Sequence, residues 1–112
     1  MTGCDLNNKQ CEPCEGDMTP MPTDEITVML AKINQWHLSN DQKSIFKNFK
    51  FKNFYHTMAF VNAIAWIANQ EGHHPDLSIG YDYCNVCFTT HAIDGLSKND
   101  FICAAKIDAL QI

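Results

Sequence analysis

Several features that would place the chain in a familiar class are missing from its sequence. Basic side chains are few, since eight lysines and arginines stand against thirteen aspartates and glutamates and leave a formal net charge of −5 at pH 7. A partner with a phosphate backbone is therefore not expected, and we predict no nucleic-acid binding. No apolar run reaches the roughly 18 residues that span a bilayer, and residues 1–10 lack the apolar stretch of a signal peptide. We predict no membrane association.

What the sequence contains is enough for one folded domain. Hydrophobic residues make up 46% and charged residues 19% of the 112 positions, a balance that argues against disorder and for a packed core. Residues 1–22 hold three of the four prolines and three of the six cysteines but almost no hydrophobic periodicity. We predict a flexible or loosely ordered N-terminal tail over residues 1–22 and a single domain over residues 23–112.

Two helices can be placed from the signals at their ends. Thr23 is a good N-cap residue, and Asp24 and Glu25 suit the positive end of the helix dipole. A longer helix follows Asn53 and ends near Gly72, a residue that favours the position just past a helix. Because this second helix is apolar over most of its circumference, it is either central or shared with another subunit. The apolar residues of the first helix recur at helical spacing: Ile26, Met29, Leu30 and Ile33.

Strand patterns and a third helix complete the order of elements. Residues 36–38 are a short extended candidate, and residues 44–51 alternate imperfectly, as a strand does. Two more strands are predicted over residues 77–80 and 83–91. A capping box at residues 97–100 opens the third helical run. The order α-β-β-α-β-β-α predicts an α+β fold, with a four-stranded antiparallel sheet that carries three helices on one face.

Three of the five histidines fall near one another in this arrangement. His73 and His74 come just past the second helix, with Pro75 after them, and His91 is placed near the end of the last strand. Imidazole has an unperturbed pKa of about 6.5, so it can both donate and accept a proton near neutral pH. Two or three imidazoles around one pocket are therefore the equipment of general acid–base catalysis. The other two histidines are interpreted as surface or structural residues.

Metal and thiol chemistry are the alternatives that these residue types leave open. Three imidazoles suit zinc, but no carboxylate or thiolate stands at a short ligand spacing beside them, so we predict no metal. Cys11-x-x-Cys14 and Cys84-x-x-Cys87 resemble two halves of a four-thiolate zinc site. Cys84 and Cys87 differ by three positions in a strand and point to opposite faces, which disfavours that site. A disulfide or redox role of Cys11 and Cys14 stays open, while free thiols in a reducing cytoplasm are the favoured interpretation.

The spacing of several residues is more specific than any one of them. His73-His74-Pro75 is followed after five residues by Tyr81, after nine more by His91 and after eight more by Asp100. This pattern resembles the signature of the pterin-4a-carbinolamine dehydratases, also called 4a-hydroxytetrahydrobiopterin dehydratases, and the chain resembles their bacterial-type members.

The resemblance extends over residues 23–110. Trp36 after the first helix and the phenylalanine-rich stretch at residues 46–51 support it. One position departs from the family's pattern, because Asn69 stands four residues before the first histidine, where an acidic or other ionisable residue is usual. Glu71 is nearby but at a different helical angle, so a role for its carboxylate does not carry over.

The resemblance implies an activity and a site. Members of the family dehydrate 4a-hydroxytetrahydropterin, which aromatic amino acid hydroxylases form from their tetrahydropterin cofactor during reactions such as phenylalanine hydroxylation. The product is a quinonoid dihydropterin that is recycled to tetrahydropterin, and no metal or organic cofactor is needed. The implied catalytic residues are His73 and His91 as the acid–base pair, with His74 orienting the substrate or sharing the proton transfer. The implied substrate-binding residues are Pro75, Thr89, Thr90, Trp36 and Asp100.

Two of these residues can equally be interpreted as structural. The function also has an alternative, which is given below. Trp36 either walls the pocket or packs in the core, and Asp100 either supports the site or caps its helix. Family members assemble as homodimers or homotetramers, and animal members also bind a homeodomain transcription factor. The alternative function is therefore a non-catalytic interaction or assembly module. The intact set of three histidines favours the lyase.

Overall fold

The computed structural model describes residues 4–12 and 18–110 of the chain. Within them three α-helices and a four-stranded antiparallel sheet follow one another in the predicted order, and two short 3-10 helices are added. The predicted α+β fold is confirmed. The regular elements are α1 (Thr23–Leu30), β1 (His37–Leu38), β2 (Ile45–Lys50), α2 (Phe54–Glu71), β3 (Asp76–Ile79), β4 (Tyr83–Phe88) and α3 (Lys98–Asp108), with 3-10 helices at Cys4–Asn8 and His91–Ile93.

The sheet presents one apolar face to the helices. Its strands lie in the order β1-β2-β4-β3, and each neighbouring pair is antiparallel. Ile45 pairs with Phe88, and Phe49 with Cys84, so alternate positions of the two central strands share a face. Ile45, Phe88 and Cys84 are at most 1% exposed, whereas Phe46 on the opposite face is 42% exposed. As predicted, Cys84 and Cys87 therefore lie on opposite faces of the sheet.

Helix α2 begins and ends where its sequence predicts. The Asn53 side chain accepts a hydrogen bond of 2.9 Å from the backbone amide of His56, and Gly72 closes the helix with a φ of 63°. The helix is not central, because Tyr55 and Trp66 are 78% and 66% exposed. The central position is therefore wrong, and sharing with another subunit stays a prediction. The residues of α2 that are buried form one inner row: Thr57, Phe60, Ile64 and Ala68.

Helix α3 occupies the middle of the molecule. The predicted capping box at its start is present. The Ser97 side chain accepts a hydrogen bond from the backbone of the first helical turn, and the Asp100 side chain accepts one from the Ser97 backbone amide. The helix packs against α2 and against the first 3-10 helix, and its residues from Asn99 to Ala105 are all buried. Among the described residues, no helix is long and apolar enough to cross a membrane.

The N-terminal residues that the structure describes make contacts that the sequence did not predict. Leu6, in the first 3-10 helix, is 5% exposed and belongs to the core. The Met21 amide donates a hydrogen bond of 2.9 Å to the Leu96 carbonyl. Docking of a short segment depends on the surface that receives it, and local periodicity carries no information about that surface. The division of the chain at residue 22 stays a prediction.

Three predicted element ends are wrong. Helix α1 ends at Leu30, so Ile33 lies beyond it, because the chain tightens into a turn in which the Lys32 amide donates to the Met29 carbonyl at 2.9 Å. Thr23 is the first residue of α1 rather than its N-cap; Pro22 takes that place, and the Thr23 hydroxyl donates to the Gln42 side chain at 2.7 Å. The last strand ends at Phe88 rather than His91. Its end is earlier because Thr90 turns to form an isolated antiparallel bridge with Gly95, and His91 then opens a 3-10 helix.

Candidate active site

The end of α2 sets the position of His73. Gly72 adopts the left-handed conformation, and the amides of both Gly72 and His73 bond the Ala68 carbonyl, that of His73 at 3.3 Å. This is the geometry in which a left-handed residue closes a helix and reverses the chain. The reversal carries His73 back across the helix end toward the start of α3.

A substitution at Gly72 tests whether the left-handed conformation that places His73 requires glycine. Gly72→Ala is expected to lower the free energy of unfolding by about 1 kcal/mol, because an L side chain is strained in this conformation. No atom lies within 4 Å of the added Cβ, so the backbone alone would cause the loss. Urea unfolding measures it. The matched control is Asn69→Ala in the last turn of the same helix, where stability should hold or rise slightly; equal stability of Gly72→Ala and the wild type would refute the strain.

His73 forms an ion-pair-like contact with a buried carboxylate. Its Nε2 lies 2.6 Å from Asp100 Oδ1, and the two side chains are 11% and 0% exposed. The imidazole also stacks on the ring of Phe88, with centroids 5.8 Å apart and planes at 11°. An ionised carboxylate only accepts hydrogen bonds, so opposite an ionised Asp100 the proton of this contact is on Nε2 of His73. The contact thus fixes both the orientation and the tautomer of His73.

The second oxygen of Asp100 is held as firmly as the first. Asp100 Oδ2 accepts from the Thr90 hydroxyl at 2.8 Å and from the Ser97 amide at 3.0 Å. The Thr90 proton is used in that bond, so in the 2.7 Å contact between the Thr90 and Ser97 hydroxyls Ser97 is the donor. Asp100 therefore caps its helix, which confirms one of its two predicted interpretations, and it also bonds His73. Its support of a substrate site stays a prediction.

Two other predicted histidines are exposed. His74 and Pro75 follow His73 in the link from α2 to β3, and His91 follows Thr90 as the first residue of the second 3-10 helix. Thr90, which precedes His91 in the chain, bonds Asp100, and Asp100 bonds His73. The His73 ring, which is largely buried and bonded to Asp100, therefore has a different environment from the exposed rings of His74 and His91. Such a difference is typical of groups that act as acid and base on one substrate.

Three predicted substrate-binding residues already have partners. The Thr89 hydroxyl donates to the Lys43 carbonyl, and the amide and carbonyl of Thr90 both bond Gly95, at 2.9 and 3.4 Å. Trp36 is 7% exposed, and its Nε1 donates to the Asp108 carboxylate at 3.0 Å. The Trp36 ring lies 6.0 Å from that of Phe88, which separates it from His73. The structure thus places Trp36 in the core, one ring away from the histidine.

One cavity lies away from the histidines. Its volume is about 970 Å³, and it is bounded by the N-terminal residues, α1 and the far side of the start of α3. None of His73, His74 and His91 is among its described lining. Unlike the described lining of this cavity, the histidine network contains a buried carboxylate bonded to an imidazole, a combination typical of an active site.

The described histidines, cysteines and carboxylates offer little support for the alternative metal and thiol sites. Among them, no group of three or more histidine, cysteine, aspartate or glutamate side chains comes together in a way that could hold a metal ion. Burial raises the pKa of the Cys84 thiol, which keeps that side chain protonated. Cys14 lies outside the described residues, so its pairing with Cys11 stays a prediction. Glu71 accepts from the Cys11 amide at 2.8 Å.

Sequence reasoning missed two members of the site. Phe88 supports the face of His73, and Ser97 donates to the hydroxyl that binds Asp100. The signal for Ser97 was present in the capping box, which names both Ser97 and Asp100. Phe88 gave only the alternation of a buried strand, and nothing in that pattern separates a ring under a histidine from any other core ring.

Comparison with known proteins gives a consistent result. The family model described as Pterin 4 alpha carbinolamine dehydratase matches residues 19–110. A protein of Nitrosospira multiformis is 58% identical over 106 residues, which cover 95% of this chain and 92% of that protein, and one of Legionella pneumophila strain Lens is 56% identical over 109 residues, which cover 96% of each. Both carry the name "Putative pterin-4-alpha-carbinolamine dehydratase".

Two solved structures are also similar. A crystal structure from Brucella melitensis, described as a transcriptional coactivator/pterin dehydratase, superposes with a TM-score of 0.78 at 26% identity and covers 81% of this chain and 97% of that one. A pterin dehydratase-like protein described as a RuBisCO assembly factor in the alpha-carboxysome superposes with a TM-score of 0.60 at 27% identity, over 68% of this chain and 88% of that one. Together with the His73–Asp100 network, the family match over most of the sequence leads to one conclusion: the chain belongs to the pterin-4a-carbinolamine dehydratase family.

Proposed function

We propose that the protein is a lyase that removes water from 4a-hydroxytetrahydropterin and releases a quinonoid dihydropterin. The observation that carries the proposal is the 2.6 Å contact between His73 and the fully buried Asp100. Burial of a carboxylate costs several kcal/mol unless it is paired, so a fold that keeps one against an imidazole has a use for that imidazole. Family membership supplies the substrate class.

The reaction needs one proton donor and one proton acceptor. The C4a–O bond breaks, and the hydroxyl leaves as water with a proton from the acid. The neighbouring ring N–H gives its proton to the base, and its electron pair forms the new C=N bond. His73 is the base in this proposal, because Asp100 holds the proton on Nε2 and leaves Nδ1 to accept. His91 is the acid, and His74 orients the pterin.

The roles of the binding residues are assigned according to whether their polar groups already have hydrogen-bond partners within the protein. Thr90 and Trp36 are engaged with Gly95 and Asp108, so we assign them to shaping the site rather than to donating hydrogen bonds to the pterin. Asp100 acts through His73 and is a positioning residue. Pro75 and the backbone at Thr89 are the groups assigned to the edge of the flat ring.

The chemistry also bears on cofactors and on location. Loss of water from a carbinolamine moves protons but no net electrons, and two imidazoles supply both proton transfers. The proposal therefore includes no metal or organic cofactor. Since the substrate arises during turnover of an aromatic amino acid hydroxylase, we place the protein in tetrahydropterin recycling, in the cytoplasm beside such an enzyme.

Binding of a stable 7,8-dihydropterin tests the proposed site directly. In an NMR titration, the ring signals of His73, His74 and His91 are expected to shift with one common dissociation constant. The signals of His37 and His56 serve as internal controls and should not move. Saturable shifts confined to the controls, or no shifts at millimolar ligand, would remove the site from consideration.

A non-catalytic interaction or assembly module is the second candidate. One structural neighbour is described as a coactivator/pterin dehydratase and the other as an assembly factor, so the fold has been associated with such roles in those proteins. Asp100 would cap α3 in a module of either kind, whereas its further contact with the His73 ring is what a positioned general base requires. The titration separates the two, because a pure interaction module would leave the three histidine signals unchanged.

We further propose that the protein is a homo-oligomer assembled through α2. The outer stripe of this helix, formed by Tyr55, Ala59, Asn62 and Trp66, repeats at intervals of four, three and four residues and faces away from the inner row. A shallow hollow of about 460 Å³ opens beside it, lined in part by Tyr55 and Met58. Large aromatic side chains this exposed on one helix face are typical of an interface.

Trp66→Glu is expected to dissociate the oligomer, because it replaces a large exposed aromatic side chain of the outer stripe with a charge that an interface would bury. Light scattering coupled to size-exclusion chromatography measures the mass. Val28→Glu is the matched control, since Val28 is also an apolar side chain exposed on a helix, to 56%, but on α1. A monomeric wild type, or an unchanged mass for Trp66→Glu, would argue against assembly through α2.

A further inference from the structure

Two cysteines that the proposed reaction does not use lie side by side. The Sγ atoms of Cys11 and Cys103 are 3.5 Å apart, although the residues are 92 positions apart in the sequence. Cys103 is in the middle of α3 and has no exposure, whereas Cys11 is in the N-terminal segment and is partly exposed. Free thiols meet this closely only where the chain on both sides is held in place.

The chain around Cys11 is held by four hydrogen bonds to α2 and α3. The Cys11 amide donates to Glu71 at 2.8 Å, and the amide and carbonyl of Glu12 both bond the Asn99 side chain, at 3.0 and 2.5 Å. One turn of chain earlier, Lys106 donates to the Asn7 carbonyl at 2.9 Å. These bonds fix the backbone of the segment, so the Cys11 thiol faces α3 as a consequence of the fold rather than by chance.

We propose that Cys11 and Cys103 form a site of thiol–disulfide exchange, which takes a low-molecular-weight disulfide such as glutathione disulfide and closes to a bond between the N-terminal segment and α3. A disulfide has an S–S length of about 2.05 Å, so the two sulfur atoms must approach by roughly 1.5 Å. Rotation of the Cys11 side chain about its Cα–Cβ bond is the movement required, since the hydrogen bonds described above hold its backbone.

The exchange takes place in two balanced steps. The Cys11 thiolate attacks one sulfur of glutathione disulfide; the S–S bond breaks, and the first glutathione leaves as a thiolate that takes up a proton. Cys103 then attacks the Cys11 sulfur, and the second glutathione leaves as a thiolate that takes up the proton lost by Cys103. The two protein thiols lose two electrons in total, and one glutathione disulfide is reduced to two molecules of glutathione.

The order of attack follows from the environments of the two thiols. The hydrogen bond with Cys11, together with burial, raises the pKa of the Cys103 thiol. Cys103 also lies beneath Cys11 as seen from solvent, so the incoming disulfide meets Cys11 first. Cys103 therefore serves as the resolving thiol and Cys11 as the attacking one.

The bond would tie together the parts of the chain that flank the catalytic pair. The segment already bridges Glu71, two residues before His73, and Asn99, one residue before Asp100. Cys103 is one turn after Asp100 on the same helix. Closing the disulfide makes this bridge covalent and removes conformational freedom from the unfolded chain, which raises thermal stability.

The experiment uses the full chain, reduced with dithiothreitol, freed of reductant and then incubated with glutathione disulfide. We expect intact mass to show the loss of two hydrogen atoms, peptide mapping to join Cys11 to Cys103, and the Tm to rise by about 5 °C or more. All three changes should be reversed by dithiothreitol. Cys11→Ser and Cys103→Ala should each abolish the joined peptide and the shift in Tm.

Cys87→Ser is the matched control, because Cys87 is a partly buried cysteine on the open face of the sheet and should leave the exchange intact. A disulfide that maps to Cys11 and Cys14 would overturn the proposal. So would glutathione that stays attached to Cys11 without release, or an oxidised wild type whose Tm equals that of the reduced form. If Cys103→Ala does not fold, the proposal is decided by whether Cys11→Ser abolishes the joined peptide and the shift in Tm.

Discussion

His73→Gln is expected to lower the rate of 4a-hydroxytetrahydropterin dehydration by roughly 10²- to 10⁴-fold, the range typical for loss of a general acid–base group. Glutamine retains an N–H that can donate to Asp100 at the position of the His73 Nε2, so the buried carboxylate stays paired. It cannot accept and release a proton as imidazole does. The stopped-flow absorbance of freshly generated substrate measures the rate.

The choice of glutamine separates chemistry from folding. His73→Ala would leave Asp100 Oδ1 unpaired inside the protein and lower stability as well as activity. His37→Gln is the matched control, since His37 is an exposed histidine on β1 that contacts Phe46 and no member of the site. A folded His73→Gln variant that retains the wild-type rate would exclude His73 as the base, even if the protein proved to be a dehydratase.

Asp100→Asn is expected to reduce the rate by a similar factor while the helix cap survives. The side-chain oxygen that accepts from Thr90 and the Ser97 amide must remain an oxygen, so the new amide N–H₂ faces His73. Nε2 of His73 must then accept a hydrogen bond, and the ring proton moves to Nδ1, the atom assigned to the substrate. The tautomer is reversed, and the base is lost without removal of the histidine.

The stability of Asp100→Asn and a control variant show whether the loss of rate comes from the reversed tautomer of His73 and not from unfolding. The unfolding free energy of Asp100→Asn should fall by only about 1 kcal/mol, because the bonds at the helix start are kept. Asp24→Asn, in the exposed first turn of α1, changes a carboxylate in a comparable helical position and should leave the rate unchanged. An Asp100→Asn variant that is fully active would mean that the carboxylate only caps its helix.

Local signals in the sequence were sufficient for the frame that holds the site. Asn53 and Gly72 mark the ends of α2 because a side-chain acceptor and a left-handed residue have requirements that only a few amino acids meet. The capping box at Ser97 and Asp100 is equally local. Each of these signals depends on neighbours within a few positions, and such dependence can be read from one sequence.

The contacts between the functional side chains could not be predicted from local signals. The bond between His73 and Asp100 joins residues 27 positions apart, and a pattern of spacing does not state which side chains meet. His91 was assigned to a strand from alternation alone, whereas the bridge between Thr90 and Gly95 ends the strand early. The docking of Leu6 and the pairing of Cys11 with Cys103 depend on a surface that only the folded chain presents.

The most direct test of the account is the rate at which the wild-type protein dehydrates freshly generated 4a-hydroxytetrahydropterin, measured against the spontaneous reaction in the same buffer. The buried His73–Asp100 pair predicts an acceleration that is proportional to protein concentration and gives the quinonoid dihydropterin as product. A rate equal to the spontaneous one, from folded protein at micromolar concentration, would contradict the lyase and leave the fold to serve as an interaction module.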